Sequence, residues 1–378
     1  MRTVGVILVG PRGRVATALR SRLPGLETCG VDLRLVAAVD RQRTVWDPDG
    51  LDPRLLEERL PSADPTDWDR LLEETGSFGE PLIVVDCTAS PEVAARYPGL
   101  LKRGIGVVTP NKLAGAGRLS NWRLLRDLSR SVPWRYETTV GAALPVLGTV
   151  ADLRKTGDRL LSVSAVLSGT LAFVLSRVEA GMSFSKAVRD AWRRGYTEPH
   201  PKEDLSGEDV ARKLLILLRE AGYELEREDV VVEPLLPGGT GGIGSIGDNA
   251  GMPDEPDPER FLDTLAPQDA AWDETVARAR RRGERLLYVA SFDGRTARVG
   301  VEALPAGHPV ARGGPGENVI VFRTERYSDL PLTVAGPGAG PHVTATGVLA
   351  DLIAAAREIR PGWAADRPVF RLEEVPVP

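Results

Sequence analysis

Cysteine is nearly absent from this sequence. Only Cys29 and Cys87 occur among 378 residues, too few and too far apart for a disulfide framework or a paired-cysteine zinc site. There is also no basic excess: the formal charge is −5, which argues against a nucleic-acid partner. The one arginine-rich stretch, ARARRRGER at 277–285, alternates with alanine as a solvated helix face does. Long charge-free apolar runs are missing too, and without them no helix can span a bilayer. The opening MRTVGVILVGPRG is apolar but meets Gly10 and Pro11 at once and has no separate cleavage region. It reads as a buried first strand rather than a signal peptide, so a cytoplasmic protein is expected.

What is present is ordinary globular material, 42% hydrophobic and 27% charged, in a chain long enough to divide into two compact units. Short β-branched runs (TVGVILV, LRLVAAVD, PLIVVDCTA, IGVVTP) are interleaved with helical stretches over the first 110 residues. Fully apolar strands alternating with helices predict an α/β lobe, a doubly wound parallel sheet covered on both faces. Further on, helices are expected over 184–195 and 207–221, and strands over 159–167, 285–292, 296–302 and 317–323. That grouping predicts an α+β second lobe. The boundaries expected are 1–135, 136–335 and 336–378, the last segment returning to the first lobe. The Gly- and Pro-rich stretch 237–259 reads as a surface loop, since it lacks the Gly-Lys-Ser/Thr ending of a phosphate loop.

The strand Val4–Val9 runs into Gly10-Pro11-Arg12-Gly13-Arg14-Val15-Ala16 and then into an amphipathic helix. Glycines there let the backbone approach a pyrophosphate, and a new helix offers unpaired N–H groups. The spacing is GxxGxxA rather than GxGxxG, and a plain tight turn competes with the dinucleotide reading. Asp40 closes the next apolar run, where a carboxylate accepts hydrogen bonds from ribose hydroxyls and favours NAD. Arg41 and Arg43 follow directly and attract a 2′-phosphate, so the choice between NAD and NADP stays open.

From residue 82 onward the chain resembles homoserine dehydrogenases. The resemblance is carried by IVVDCTAS, RGIGVVTPNK and YETTVGAALPVL, by LSGTLAFVLSRVEAG through GYTEPHPKEDLSGEDVARK, and by GPGAGPHVTATGVLADLI. It implies a Rossmann-type nucleotide-binding domain, a catalytic and dimerisation domain, NAD or NADP as cofactor, and a homodimer. The implied reaction interconverts homoserine and aspartate 4-semialdehyde. Neither an aspartate-kinase domain before the first lobe nor an added regulatory domain after Ile353 is expected, and hence no feedback inhibition through one. The chain departs from the family at GPRGRVA, where GxGxVG is usual, at Thr109-Pro110-Asn111-Lys112, where TANK is usual, and at His200, where the family has aspartate.

Reducing an aldehyde needs a proton donor at the oxygen where negative charge builds. By resemblance Lys213 is that general acid/base. It stands four residues after Asp209, so both side chains share one helix face; without the resemblance, an exposed ion pair with a Ser206–Asp209 capping box is the reading. Resemblance further assigns Glu198, Asp204 and Asp209 to substrate, and Gly195 and Gly340 to the cofactor. The glycine turn offers Gly10, Arg12, Gly13, Arg14 and Val15 to the cofactor, the next strand end offers Asp40 and Arg41, and the crevice at the edge of the sheet adds Thr88 and Ala89, with Lys112 for substrate or cofactor. Glu137, Val140, Ala142 and Leu144 match a loop that binds a monovalent cation, commonly sodium, through hard oxygen ligands; a packed hinge without an ion is the alternative. Two other functions stay open. One is a same-fold dehydrogenase acting on a related 2-amino-4-oxo acid, and the other is a nucleotide sensor without turnover.

Overall fold

The computed structural model describes residues 2–23, 30–235, 255–314 and 316–359. Cys29, most of the Gly-rich stretch at 237–259 and the C-terminal tail lie outside them. The chain divides into two compact units, one running to Ala143 and resuming at Gly340, the other spanning Leu144–Ala339.

Seven strands form the sheet of the first unit: β1 (Arg2–Val9), β2 (Val31–Val39), β3 (Arg43–Trp46), β4 (Asp64–Pro65), β5 (Leu82–Asp86), β6 (Gly106–Val108) and β7 (Trp134–Arg135), ordered β4-β3-β2-β1-β5-β6-β7. Strands β2, β1, β5, β6 and β7 are parallel to one another, whereas β3 and β4 add an antiparallel edge that periodicity did not reveal. The runs of Val, Ile and Leu follow from burial on both faces: Val4, Val6, Ile7, Leu8, Ile83, Val84 and Val85 are wholly buried. The chain moves outward from β1 to β2 and then returns to β5 on its other side, so the order reverses at β1. Ligands of doubly wound sheets bind beyond the strand C-termini at such a reversal.

The last helix, Pro341–Glu358, belongs to this unit. Ala345, Val348, Leu352, Ala355 and Ala356 line the stripe it buries beside Ala16, Leu19 and Val4, a spacing that gives one apolar helix face. It also fixes where the first unit ends. The backbone N–H of Glu137 donates to the Asp351 carboxylate at 3.0 Å, and the short turn Glu137–Thr139 packs on the same helix.

The second unit is built on a sheet ordered β13-β12-β8-β10-β11-β9, with β8 at Leu160–Val166, β9 at Val230–Val232, β10 at Glu284–Phe292, β11 at Ala297–Pro305, β12 at Glu317–Thr324 and β13 at Leu332–Pro337. All pairs are antiparallel except β11 with β9. Helices at Gly169–Glu179, Phe184–Arg193, Pro201–Leu205, Glu208–Glu220 and Asp269–Arg281 accompany it. In Glu208–Glu220, Val210, Ala211 and every residue from Leu214 to Glu220 are buried, which fixes the orientation of the few polar positions left in the first half.

Candidate active site

In the first unit the glycine turn is built as its residue types require. Gly10 sits at φ +73°, and a Cβ there would come within 2.7 Å of the Thr88 methyl. Only glycine has the backbone freedom and the small size for that position. The Gly10 N–H donates to the Val39 carbonyl at 2.9 Å, and the Cys87 N–H donates to the Val9 carbonyl at 3.0 Å. These bonds draw together the C-terminal ends of β1, β2 and β5, with Gly10, Gly13 and Thr88 at one place. Arg12, Gly13 and Arg14 are exposed there, Val15 is half-buried and Ala89 is exposed.

Beneath them lies a buried carboxylate that the sequence reading passed over. Asp86 is fully enclosed and accepts four hydrogen bonds. Thr88 donates from N–H at 2.8 Å and from its hydroxyl at 2.6 Å, Tyr97 from its hydroxyl at 2.5 Å, and Asn111 from its amide at 3.1 Å. Burial, then the Asp86 charge, pushes the Tyr97 phenol well above its usual range. Thr109 donates to the Asp86 carbonyl at 2.9 Å. Asn111 caps the helix Lys112–Ala116 by accepting from the Leu113 N–H at 3.0 Å. One acid thus ties the Thr88 loop to the loop that carries Lys112. Its signal in sequence was an aspartate ending an otherwise apolar strand, IVVD.

At the end of β2, Asp40 accepts from the backbone N–H groups of Gln42 and Arg43 at 2.8 and 2.7 Å and faces Arg12 at 3.4 Å. Arg41 is exposed. Arg43 donates from Nη1 to the Ala63 carbonyl at 2.9 Å, which ties part of its guanidinium to this unit.

The YETTVGAAL run turns sharply. Gly141 has φ +79° and Ala142 has φ +54°, a left-handed geometry that is uncommon for a residue with a Cβ. The Ala142 carbonyl lies close against Gly347, where a Cβ would meet it at 3.1 Å. Burial, then the charge of Glu137, pushes the Asp351 carboxyl up to about 7. Val140 and Ala142 are buried, and Leu144 opens the second unit. Gly340, at φ +120°, caps the last helix from a backbone position that favours glycine.

In the second unit Lys213 lies on the first half of its helix with a side chain only 13% exposed. Its ammonium is 2.8 Å from the Asp209 carboxylate and donates to the Leu167 carbonyl, just past β8, at 2.7 Å. The helix begins at Glu208, with Gly207 in the capping position at φ +77°. Ser206 accepts from the Glu208 N–H at 3.2 Å instead of forming the expected box with Asp209. A Cβ on Gly207 would lie 1.9 Å from the Tyr288 hydroxyl, so the glycine of DLSGEDVARK is demanded by packing as well as by φ.

The GYTEPHP turn precedes that helix. Gly195 takes φ +68°, and Asp204 accepts from the Glu198 N–H at 2.8 Å. Burial, reinforced by the charges of Glu198 and Asp209, pushes the Asp204 carboxyl up to about 6. His200 caps the helix Pro201–Leu205 by accepting from the Lys202 N–H at 3.2 Å, while its Nε2 lies 2.8 Å from the Glu255 carbonyl. A proton on Nε2 satisfies both contacts. An aspartate could serve the same cap, which explains why histidine is tolerated here. Asn318 on β12 was also missed; its enclosed amide packs against Gly338, where a Cβ would fall 1.9 Å from it.

Among known proteins, the profile described as homoserine dehydrogenase matches residues 145–353, and that of the homoserine dehydrogenase NAD-binding domain matches residues 12–137. The maize chloroplastic bifunctional aspartokinase/homoserine dehydrogenase 1 is 36% identical over 93% of this chain and 38% of its own length. The Escherichia coli bifunctional enzyme 2 is 38% identical over 85% of the chain and 39% of its own length. The chain therefore spans about two fifths of these curated relatives. A solved Candida auris protein of unknown function is 30% identical with a TM-score of 0.82, covering 95% of this chain and 99% of that one. A hyperthermophilic archaeal homoserine dehydrogenase solved with NADPH, 23% identical with a TM-score of 0.69, covers 95% of this chain and 99% of its own and shares the fold. The profile covering the second unit, joined to the NAD-binding profile over the first, shows that this chain belongs to the homoserine dehydrogenase family.

Proposed function

We propose that this chain catalyses the NAD(P)-dependent interconversion of L-homoserine and L-aspartate 4-semialdehyde. One observation carries the reading: Lys213, nearly enclosed, holds its ammonium at 2.8 Å from Asp209 and 2.7 Å from the Leu167 carbonyl. Two of its three N–H bonds are so engaged, and the third serves the substrate oxygen. Family membership and the names of the curated relatives support the substrate.

In the reducing direction Lys213 gives a proton to the aldehyde oxygen as charge builds there, and in the oxidising direction it takes one from the hydroxyl. A nicotinamide held by the first unit would supply or accept the hydride at the adjoining carbon. Asp209 orients the lysine, while Glu198, Asp204 and Asp209 bind the substrate ammonium, with Lys112 as a further contact. The donor set of the first unit fits a dinucleotide. The Gly10 cradle has no room for a Cβ, and the exposed turn residues Arg12, Gly13 and Arg14 suit a pyrophosphate. Arg12, Arg14, Val15, Asp40, Arg41, Thr88, Ala89, Lys112, Gly195 and Gly340 complete the assignment.

A sodium ion held by Glu137 and the carbonyls of Val140, Ala142 and Leu144 belongs to the same proposal. It is supported by the resemblance and by the left-handed Ala142, since such strain persists where the surroundings impose it. Assembly as a homodimer through the second unit and a cytoplasmic setting are read in the same way. The test is direct: purified protein is mixed with homoserine and NADP or NAD, and reduced nicotinamide is followed by absorbance. Homoserine-dependent reduction supports the proposal. Its absence with both cofactors, in protein shown to be folded, rejects it.

A further inference from the structure

The β2 terminus carries a carboxylate whose two oxygens already have partners. Reading the 2′- and 3′-hydroxyls of an NAD-type ribose requires carboxylate oxygens turned toward the nucleotide. In Asp40 one oxygen accepts two N–H groups of its own turn, from Gln42 at 2.8 Å and Arg43 at 2.7 Å. The other faces the Arg12 guanidinium at 3.4 Å. Arg12 comes from the glycine turn itself, where Gly10 closes onto Val39 of the same strand. It is half-exposed, and its second acidic neighbour, Glu57, is 3.9 Å away and already bonded to Arg20 at 2.7 Å. Arg43 is committed to the Ala63 carbonyl.

We propose that Arg12 selects NADP(H) over NAD(H) by binding the 2′-phosphate, with Asp40 acting as the residue that positions it. The proposal deepens the dehydrogenase reading and rests on it. A lone aspartate at this place repels a dianionic phosphate; paired with Arg12 and folded into its own turn, it no longer does. The planar guanidinium keeps Nη1 on Asp40 and can turn its other N–H groups to phosphate oxygens. Exposed Arg41, which follows Asp40 in the chain, adds a second positive charge at this strand end.

The test measures binding without amino-acid substrate, by calorimetry of NADP+ and NAD+ against the whole chain and its R12A and R12Q variants. Wild type is expected to bind NADP+ at least about tenfold more tightly than NAD+. Both variants are expected to lose most of that preference through weaker NADP+ binding, with NAD+ affinity changed by less than about twofold. Tighter binding of NAD+ by wild type, or an equal loss for both nucleotides in the variants, overturns the proposal, as does binding of neither. Arg12-dependent selectivity without homoserine oxidation would reject only the assigned reaction. Homoserine oxidation with no effect of Arg12 on selectivity would reject only this inference.

Discussion

Lys213 and Asp209 meet across one helical turn, Nζ to carboxylate oxygen 2.8 Å, with the lysine side chain 13% exposed and the aspartate 48%. An exposed pair at this spacing contributes little to stability. Here the pair is asymmetric, because the Leu167 carbonyl takes a second proton of the ammonium and restricts where the amine can point. A fixed amine with one acceptor-facing N–H left over is what a proton donor to a carbonyl requires.

Asp204 predicts opposite pH effects on binding and on stability. Its carboxyl is raised to about 6 by burial and by Glu198 and Asp209, so as pH falls through 6 it protonates and the hold on the substrate ammonium proposed for it weakens. The KM for homoserine should therefore rise on going from pH 7 to pH 5. The folded pKa lies above the unfolded one, so its stability contribution is fully present below the unfolded value and is lost as pH rises through about 6. Asp204→Asn should stabilise the fold at pH 8 by on the order of 1–2 kcal/mol while raising KM, and the stability gain should vanish by about pH 3.5. Melting curves across that range check the sign; a gain that grows toward acid contradicts it.

Gly207→Ala should cost about 2–4 kcal/mol, combining a left-handed backbone with overpacking. The added methyl would sit 1.9 Å from the Tyr288 hydroxyl. Combining it with Tyr288→Phe removes the nearest atom and should recover part of the loss. Denaturant midpoints of the two single variants and the double variant measure the coupling, and strict additivity would refute the packing argument.

Asp86→Asn replaces a carboxylate that collects four donors with a group that brings two donors of its own. The fold should lose about 1–3 kcal/mol through unmatched buried groups. Because Asp86 positions Thr88 and the Lys112 loop, the KM for the nicotinamide cofactor should rise about tenfold or more. A variant with only lowered stability and unchanged cofactor KM would reduce Asp86 to a structural acid.

Much of the fold was legible because it is written in periodicity. The strand expected at 317–323 is observed at Glu317–Thr324, and the helix expected at 207–221 at Glu208–Glu220. The antiparallel edge β3–β4 was not legible, since RTVW and Asp64-Pro65 are too short to show an alternating pattern. Motif residues such as Lys213 and Asp209 could be placed because helical spacing decides which side chains meet. Asp86, Asn318 and the cap made by His200 could not, because their partners lie far along the chain or on its backbone.

Replacing Lys213 with alanine tests the account most directly. Homoserine oxidation should be followed at saturating cofactor, alongside calorimetric binding of that cofactor. Turnover is expected to fall by about 10²–10⁴ with cofactor affinity essentially unchanged. A variant that turns over at a near-normal rate would contradict the assignment of Lys213 as the group that moves the proton.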